Sequence, residues 1–206
     1  MPIQKSAIQT ISSSADISLG GEDTLFVIFV DLCKSTDFKV YCQTNEIPDR
    51  QWIERQLIFL NRVITNIERY KGTVVKTIGD EVMGYFDRNI IPENILKCST
   101  DMHSLFRKIE RYDNRKWKIE SKVSLDYGKI YDSNFGLSRS RTIDPIGTVV
   151  DRCARLNHEG KENEVVFSSA FFSVMNTASQ KKYAKLKEKK ELKGVGDSEY
   201  YRLLVK

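Results

Sequence analysis

The chain has 206 residues, of which 40% are hydrophobic and 30% charged, and its 33 basic and 28 acidic residues give a net charge of +5. A chain of that length is one domain of ordinary globular composition, able to hide roughly 70% of its unfolded surface, which excludes a mainly disordered, fibrous or collagen-like protein. The mild positive charge leaves anionic small molecules, nucleic acid and acidic membrane surfaces as partners. The longest clean apolar run, Leu25 to Val30, has six residues, far short of the ~20 that span a bilayer. The N-terminus has no apolar stretch of the kind a signal peptide needs, so the expectation is a cytoplasmic protein with no membrane span. Cys33, Cys42, Cys98 and Cys153 stand singly, without a CxxC, which suits reduced thiols rather than disulfides or zinc.

In chain order, residues 1–22 hold Ser and Gly without apolar period and read as a flexible arm, leaving 23–206 as a single domain. Thr24 to Val30 (TLFVIFV) is β-branched and aromatic and reads as a buried strand. Trp52, Ile53, Leu57, Leu60, Val63, Ile64 and Ile67 recur at helical spacing, so about 49–70 is an amphipathic helix, stopped by Lys71-Gly72. Thr73 to Lys76 and Val82 to Phe86 read as strands around a turn at Ile78-Gly79-Asp80. Pro92 opens a helix to about Tyr112, Ile119 to Tyr131 reads as a strand continuing into a turn at Gly128, and 133–142 as a polar hairpin or loop. Thr148 to Asn157 is a third helix, Val165 to Phe167 a short strand, and Ser168-Ser169 the cap of another helix. Leu186 to Leu192 and Glu199 to Leu204 form a closing hairpin around Gly194 to Asp197. The order β-α-β-β-α-β-α-β-α-β-β implies an α/β sandwich whose mixed or antiparallel sheet is covered by helices on one side.

Four segments could carry chemistry. Asp31, in FVDLCKST, ends a buried strand, where a carboxylate is costly unless it meets a cation or a donor. The next residues, Cys33, Lys34, Ser35 and Thr36, bring backbone N–H groups, a lysine and two hydroxyls to a turn that suits phosphate; an N-capping aspartate before a polar turn is the bland alternative. Asp80, in VVKTIGDEVM, stands at a hairpin tip, where Asp is common for turn reasons alone. Two strand-end aspartates could jointly hold a divalent metal for phosphate chemistry. The neighbouring Glu81 is discounted, because alternation points it away from Asp80. In IDPIGTVVDRCARL, Asp151 and Arg155 share one helix face, either as an ordinary ion pair or with Arg155 aimed at developing phosphate charge. Lys193, in ELKGVGD, is by itself better read as a solvated lysine than as a phosphate ligand. Lys181 to Lys193 holds seven lysines against two glutamates, first of all a solvated face; aromatic residues interleave it no further than Tyr183, so nucleic acid is not expected as a partner.

Together these segments resemble the class III nucleotidyl cyclases, the adenylyl and guanylyl cyclase catalytic domain, over residues 24 to 204. FVDLCKST is similar to the first metal-binding motif, VVKTIGDEVM to the second, IDPIGTVVDRCARL to the transition-state helix and LKGVGDSEYYRL to the closing hairpin. The resemblance implies a ferredoxin-like domain that works as a homodimer with its sites at the interface. It further implies that Asp31 and Asp80 bind two Mg²⁺ or Mn²⁺ ions, with help from the Leu32 carbonyl, and that Ser35 and Thr36 meet the phosphates of a nucleoside triphosphate. From the other subunit, Lys76 and Asp144 fall on the base-reading positions, Asp151 and Arg155 on the ribose-orienting and phosphate-stabilising positions, and Lys193 on the triphosphate position.

The chain departs from the family's pattern in two places. Lys34-Ser35 stands where Gly-Phe is usual, and Asp151 where Asn is usual. Asp151 can instead pair with Arg152 or Arg155. Lys76 and Asp144 taken literally resemble the adenine-reading pair, yet lysine donates equally to a pyrimidine carbonyl. A catalytic domain without an accompanying sensor resembles the Pycsar pyrimidine cyclases of bacterial antiviral defence, which make cyclic UMP or cyclic CMP for a separate effector. That is the leading expectation here; adenylate cyclase is the second, and a catalytically dead nucleotide-binding module the third.

Overall fold

The protein is described by a computed structural model covering residues 18–108, 117–134 and 144–205. The first strand, β1 (Ser18–Leu32), is followed by α1 (Ser35–Thr44), α2 (Arg50–Arg69), β2 (Thr73–Ile78), β3 (Glu81–Asp87), α3 (Pro92–Phe106) and β4 (Ser121–Asn134). Then come β5 (Pro145–Ile146), α4 (Thr148–Glu159), β6 (Glu164–Ser168), α5 (Ser169–Ser173), α6 (Thr177–Tyr183), a 3-10 turn, β7 (Lys187–Leu192) and β8 (Gly196–Leu204). One sheet runs in the order β2-β3-β1-β4-β6-β8-β7, with β5 paired to β4. All neighbours are antiparallel except β4 and β6. The first four strands with α2 and α3 make a βαββαβ, ferredoxin-like unit.

β1 sits between β3 and β4, so it is buried on both faces and reads as an unbroken apolar run. Its even residues Phe26, Ile28 and Val30 meet Phe59, Val63 and Ile67 of α2 and Ile95 and Met102 of α3 in the main core. Its odd residues Leu25, Val27 and Phe29 meet Val149 and Cys153 of α4 in a second core. The helices therefore cover both faces, which corrects the one-sided expectation. Successive strand residues point to opposite faces, and the apolar face of α4 has to be buried as well.

Several elements differ from their expected form. The stripe that α2 buries is Arg55, Phe59, Val63, Asn66 and Ile67, while Ile53 and Leu57 are 40% and 58% exposed. The helix ends where Lys71 turns left-handed (φ 65°) and Gly72 passes so close that a Cβ would lie 2.6 Å from Ile67 and Phe86. Helix α1 starts where the turn at 33–36 was expected to lead into a helix N-terminus; its extent was not legible, since only Phe38 and Cys42 bury its inner side. Nor was α6, which buries no residue, or the two-residue β5. In place of the turn expected at Gly128, β4 runs on through that residue, which pairs with Leu25 of β1. β1 begins at Ser18, inside the expected arm, whose residues 1–17 lie outside the described residues. So do the expected end of the helix at Tyr112 and most of the loop 133–142. The Ser168 cap forms as expected, its hydroxyl accepting from the Phe171 N–H at 3.0 Å. All four cysteines are free.

Helix α4 is fastened to the sheet by polar contacts as well as by packing. Asn157 donates to the Phe29 carbonyl at 3.1 Å, and the Ser124 hydroxyl to the Cys153 carbonyl at 2.8 Å. Arg152 makes a two-pronged pair with Asp126 at 2.6 and 2.8 Å, and Ser168 donates to the same carboxylate. Asp126 is fully buried; burial pushes its pKa up, and Arg152 pulls it back. Removing one partner of such a pair leaves a buried charge uncompensated. Arg152→Ala, which leaves the fully buried Asp126 carboxylate without its cation, is expected to cost about 3–5 kcal/mol of folding stability, read by denaturant unfolding; a loss under about 1 kcal/mol would mean that the pair holds nothing.

Candidate active site

The site grows from the end of β1. Asp31 is register partner to Glu81 on β3 and to Lys122 on β4, so the three side chains form a row across one sheet face. Lys122 Nζ lies 3.0 Å from Asp31 Oδ2. Burial raises the Asp31 pKa, Lys122 draws it back down, and nearby Asp80 adds a smaller upward push. Burial and then the Asp31 charge push Glu81 up to about 7. Burial likewise pushes the Cys33 thiol up to about 12, so it stays protonated.

Asp80 is carried by the β2–β3 turn. Gly79 takes φ 64° there, and Gln56 of α2 donates to its carbonyl at 2.9 Å, tying the tip to the helix. The turn after Asp31 is braced from both sides. The Cys33 N–H donates to the Glu120 carbonyl at 2.9 Å. The guanidinium of Arg55, 1% exposed, donates to the carbonyls of Cys33 (3.0 Å), Lys118 (2.8 Å) and Trp117 (3.2 Å). Lys34 is left-handed (φ 57°), and the first bond of α1 runs from the Phe38 N–H to the Lys34 carbonyl at 3.0 Å. The N–H groups of Ser35, Thr36 and Asp37 stand ahead of that ladder, as anion-binding helix starts require.

These pieces line an open cleft of about 840 Å³ whose walls include Asp31, Leu32, Ser35, Thr36, Asp80 and Lys122. The first five were expected from sequence. Lys122 was not, although a lysine beside the buried Val123 and Leu125 was a signal to follow. Glu81 had been discounted on alternation along its own strand, but the β1–β3 register sets it opposite Asp31.

The other expected residues lie apart from this cleft. Lys76 Nζ contacts both carboxylate oxygens of Asp144, at 2.9 and 3.0 Å, so they form one donor–acceptor unit. Asp151 and Arg155 are exposed on α4, and Lys193 is exposed in the β7–β8 turn. Arg152 is engaged by Asp126, which removes it as the partner suggested for Asp151.

The family model for the adenylate and guanylate cyclase catalytic domain matches residues 19–205. Similar solved structures include the guanylate cyclase domain of RhGC from Catenaria anguillulae in complex with GTP (14% identity, TM-score 0.70, 91% of this chain and 100% of that one). The adenylyl cyclase CyaB from P. aeruginosa is similar at 18% identity and TM-score 0.70, over 89% of this chain and 95% of that one. The guanylyl cyclase domain of the RhoGC fusion protein from Blastocladiella emersonii, solved as a non-canonical dimer, is similar at 14% and 0.68, over 90% and 99%. A search of curated proteins finds no match. The chain belongs to the class III adenylyl and guanylyl cyclase catalytic-domain family, nucleotide cyclases that are lyases by class. Among the described residues no helix is long and apolar enough to cross a membrane.

Enzymes of this family use divalent metals. The residues here fit such ions: Asp31 and Asp80 are hard oxygen donors on one cleft, close enough that Asp80 helps raise the Asp31 pKa, with Lys122 pairing to Asp31.

The raised Glu81 pKa has a stability consequence with a definite sign. The folded chain holds this proton more tightly than the unfolded chain does. The contribution is therefore full below pH 4.5 and is lost as pH rises to about 7. Glu81→Gln stays neutral throughout. In metal-free protein its melting temperature should gain on the wild type between pH 4.5 and 7, followed by thermal denaturation across that range. A difference independent of pH would contradict the burial argument.

Proposed function

We propose that the chain converts a nucleoside triphosphate into a 3′,5′-cyclic nucleotide and diphosphate, at sites shared between two copies of the chain. The observation that carries this is the convergence of Asp31, Asp80, Lys122 and the start of α1 on one cleft. Asp31 and Asp80 would hold two Mg²⁺ or Mn²⁺ ions, with the Leu32 carbonyl alongside. Divalent ions bound there would lower the pKa of the ribose 3′-hydroxyl and neutralise the triphosphate. Ser35, Thr36 and the N–H groups ahead of α1 would bind phosphate oxygens, and Lys122 would add a cation. The 3′-oxygen attacks the α-phosphorus, the bond to the bridging oxygen breaks, and diphosphate leaves.

Arg155 would stabilise charge on the α-phosphate, Asp151 would orient the ribose, and Lys193 would bind the triphosphate. All three are exposed and outside the cleft lining, as side chains that complete a partner's site should be. This supports a head-to-tail homodimer.

The Lys76–Asp144 unit presents one donor and one acceptor to a base. We assign the base as a pyrimidine, UTP or CTP, on the resemblance to the Pycsar cyclases; the Lys76–Asp144 unit is compatible with that, since lysine donates equally to a pyrimidine carbonyl. The cyclic product would then act on a separate effector, in the antiviral role that the resemblance implies. The second reading is ATP to cyclic AMP, favoured by the literal match of Lys76 and Asp144 to an adenine-reading pair.

Equal concentrations of all four NTPs with Mn²⁺, and product identification by mass, test the base directly. Cyclic CMP or cyclic UMP should dominate; cyclic AMP in excess selects the second reading. Asp31→Ala and Asp80→Ala should each abolish product while the protein stays folded, and undiminished turnover by either would remove the two-metal assignment.

Mixing Asp31→Ala protein with Arg155→Ala protein should restore part of the activity through mixed dimers that keep one intact site. No recovery, with subunit exchange demonstrated, would refute the shared site.

A further inference from the structure

We propose that Lys34 is an additional phosphate-binding residue, held in reserve by Glu162, and that the terminal phosphates of the substrate displace Glu162 from it. The inference rests on the nucleotide reading above and extends it to this chain's own departure from the family pattern. Lys34 occupies the position where Gly is usual, and its backbone shows why Gly is usual there: φ is 57° and ψ 28°, a region that side-chain-bearing residues rarely enter. A residue held in unfavourable backbone geometry beside a functional site points to a role for its side chain.

That side chain lines the same cleft as Asp31, Asp80 and Lys122. Its Nζ is 2.7 Å from Glu162 Oε1, with Glu120 Oε2 farther off at 4.0 Å. Glu162 lines the cleft as well, in the segment between α4 and β6.

The pair is built to exchange. Lys34 and Glu162 keep 37% and 42% of their side-chain surface exposed, so solvent screens the contact and holds it weakly. The other basic residue nearest the metal-binding carboxylates, Lys122, is already engaged by Asp31. Glu164, which also lines the cleft, is bound by Arg202 at 2.5 Å and is not free to take Lys34. A diphosphate or triphosphate group brings more charge than one carboxylate. It also meets the N–H groups ahead of α1, immediately beside Lys34, at the same time. Occupation of the cleft by phosphate therefore favours moving Lys34 from Glu162 to the ligand.

The test is calorimetric titration of the full chain with inorganic pyrophosphate and Mg²⁺, using wild type, Lys34→Gly, Glu162→Gln and the double variant. Lys34→Gly accommodates the turn without a side chain and should weaken pyrophosphate binding about tenfold, the loss of one charge-assisted hydrogen bond. Glu162→Gln frees Lys34 and should tighten binding severalfold in the wild-type background, with no effect in the Lys34→Gly background. In turnover, Lys34→Gly should raise KM for the NTP by a similar factor with a smaller change in kcat. Wild-type affinity in Lys34→Gly, or an equal effect of Glu162→Gln in both backgrounds, overturns the exchange while leaving the cyclase reading intact. A wild type that binds pyrophosphate and cyclises no NTP removes the cyclase reading alone. Failure to bind either pyrophosphate or NTP removes both.

Discussion

The site depends on one register. β1 pairs with β3 and β4 so that Asp31 stands opposite Glu81 on one side and Lys122 on the other. A one-residue slip of either partner would turn its residue in this row toward the other face of the sheet. The apolar residues on both faces of β1 forbid that slip, since each face is packed against helices. The core thus fixes the position of a carboxylate that the core itself disfavours. Burial raises the Asp31 pKa, and Lys122 first, then a backbone hydrogen bond at Leu32, favour the charged form.

From that row outward, the polar residues act as braces. Arg55 looks misplaced in the buried stripe of a helix, yet its guanidinium gathers the carbonyls of Cys33, Trp117 and Lys118, and stacks 5.3 Å from the Phe38 ring. It ties the turn after Asp31 to the segment that leads into β4. On the opposite face, Arg152 and Asp126 seat α4, the helix that presents Asp151 and Arg155 outward. One arginine braces the turn after Asp31, and the other seats the helix that carries Asp151 and Arg155.

The two outward-facing groups explain why a single copy of the chain looks incomplete. The cleft holds Asp31, Asp80, Lys122 and the start of α1, while Lys76, Asp144, Arg155 and Lys193 lie elsewhere on the surface. Under the proposed pairing, a C₂ partner would deliver what each copy lacks.

The strands, the long helices and the cleft carboxylates Asp31 and Asp80 were legible in the sequence because each rests on a local pattern. β1 carries an unbroken apolar run from Leu25 to Val30, α2 and α4 carry helical periodicity, and the motifs around Asp31, Asp80 and Arg155 are contiguous. The extent of helix α1, and the whole of α6 and β5, were not legible, since they bury two residues, none, and a single proline side chain respectively. Nor was the place of α4 on the far face, because periodicity says that a helix has an apolar side and not which sheet face receives it. Lys122 and Glu81 escaped for a related reason: both join Asp31 through cross-strand register, a relation between residues about 50 and 90 positions apart. The sequence by itself determined which residue types were present for metal and phosphate chemistry and which stretches would be strands or helices. Tertiary structure alone decided that Asp31 would lie between a carboxylate and a lysine, that Arg152 would be spent on Asp126, and that Lys34 would pair with Glu162 in the cleft. Those are contacts between distant segments, and packing selects them only when the whole sheet closes.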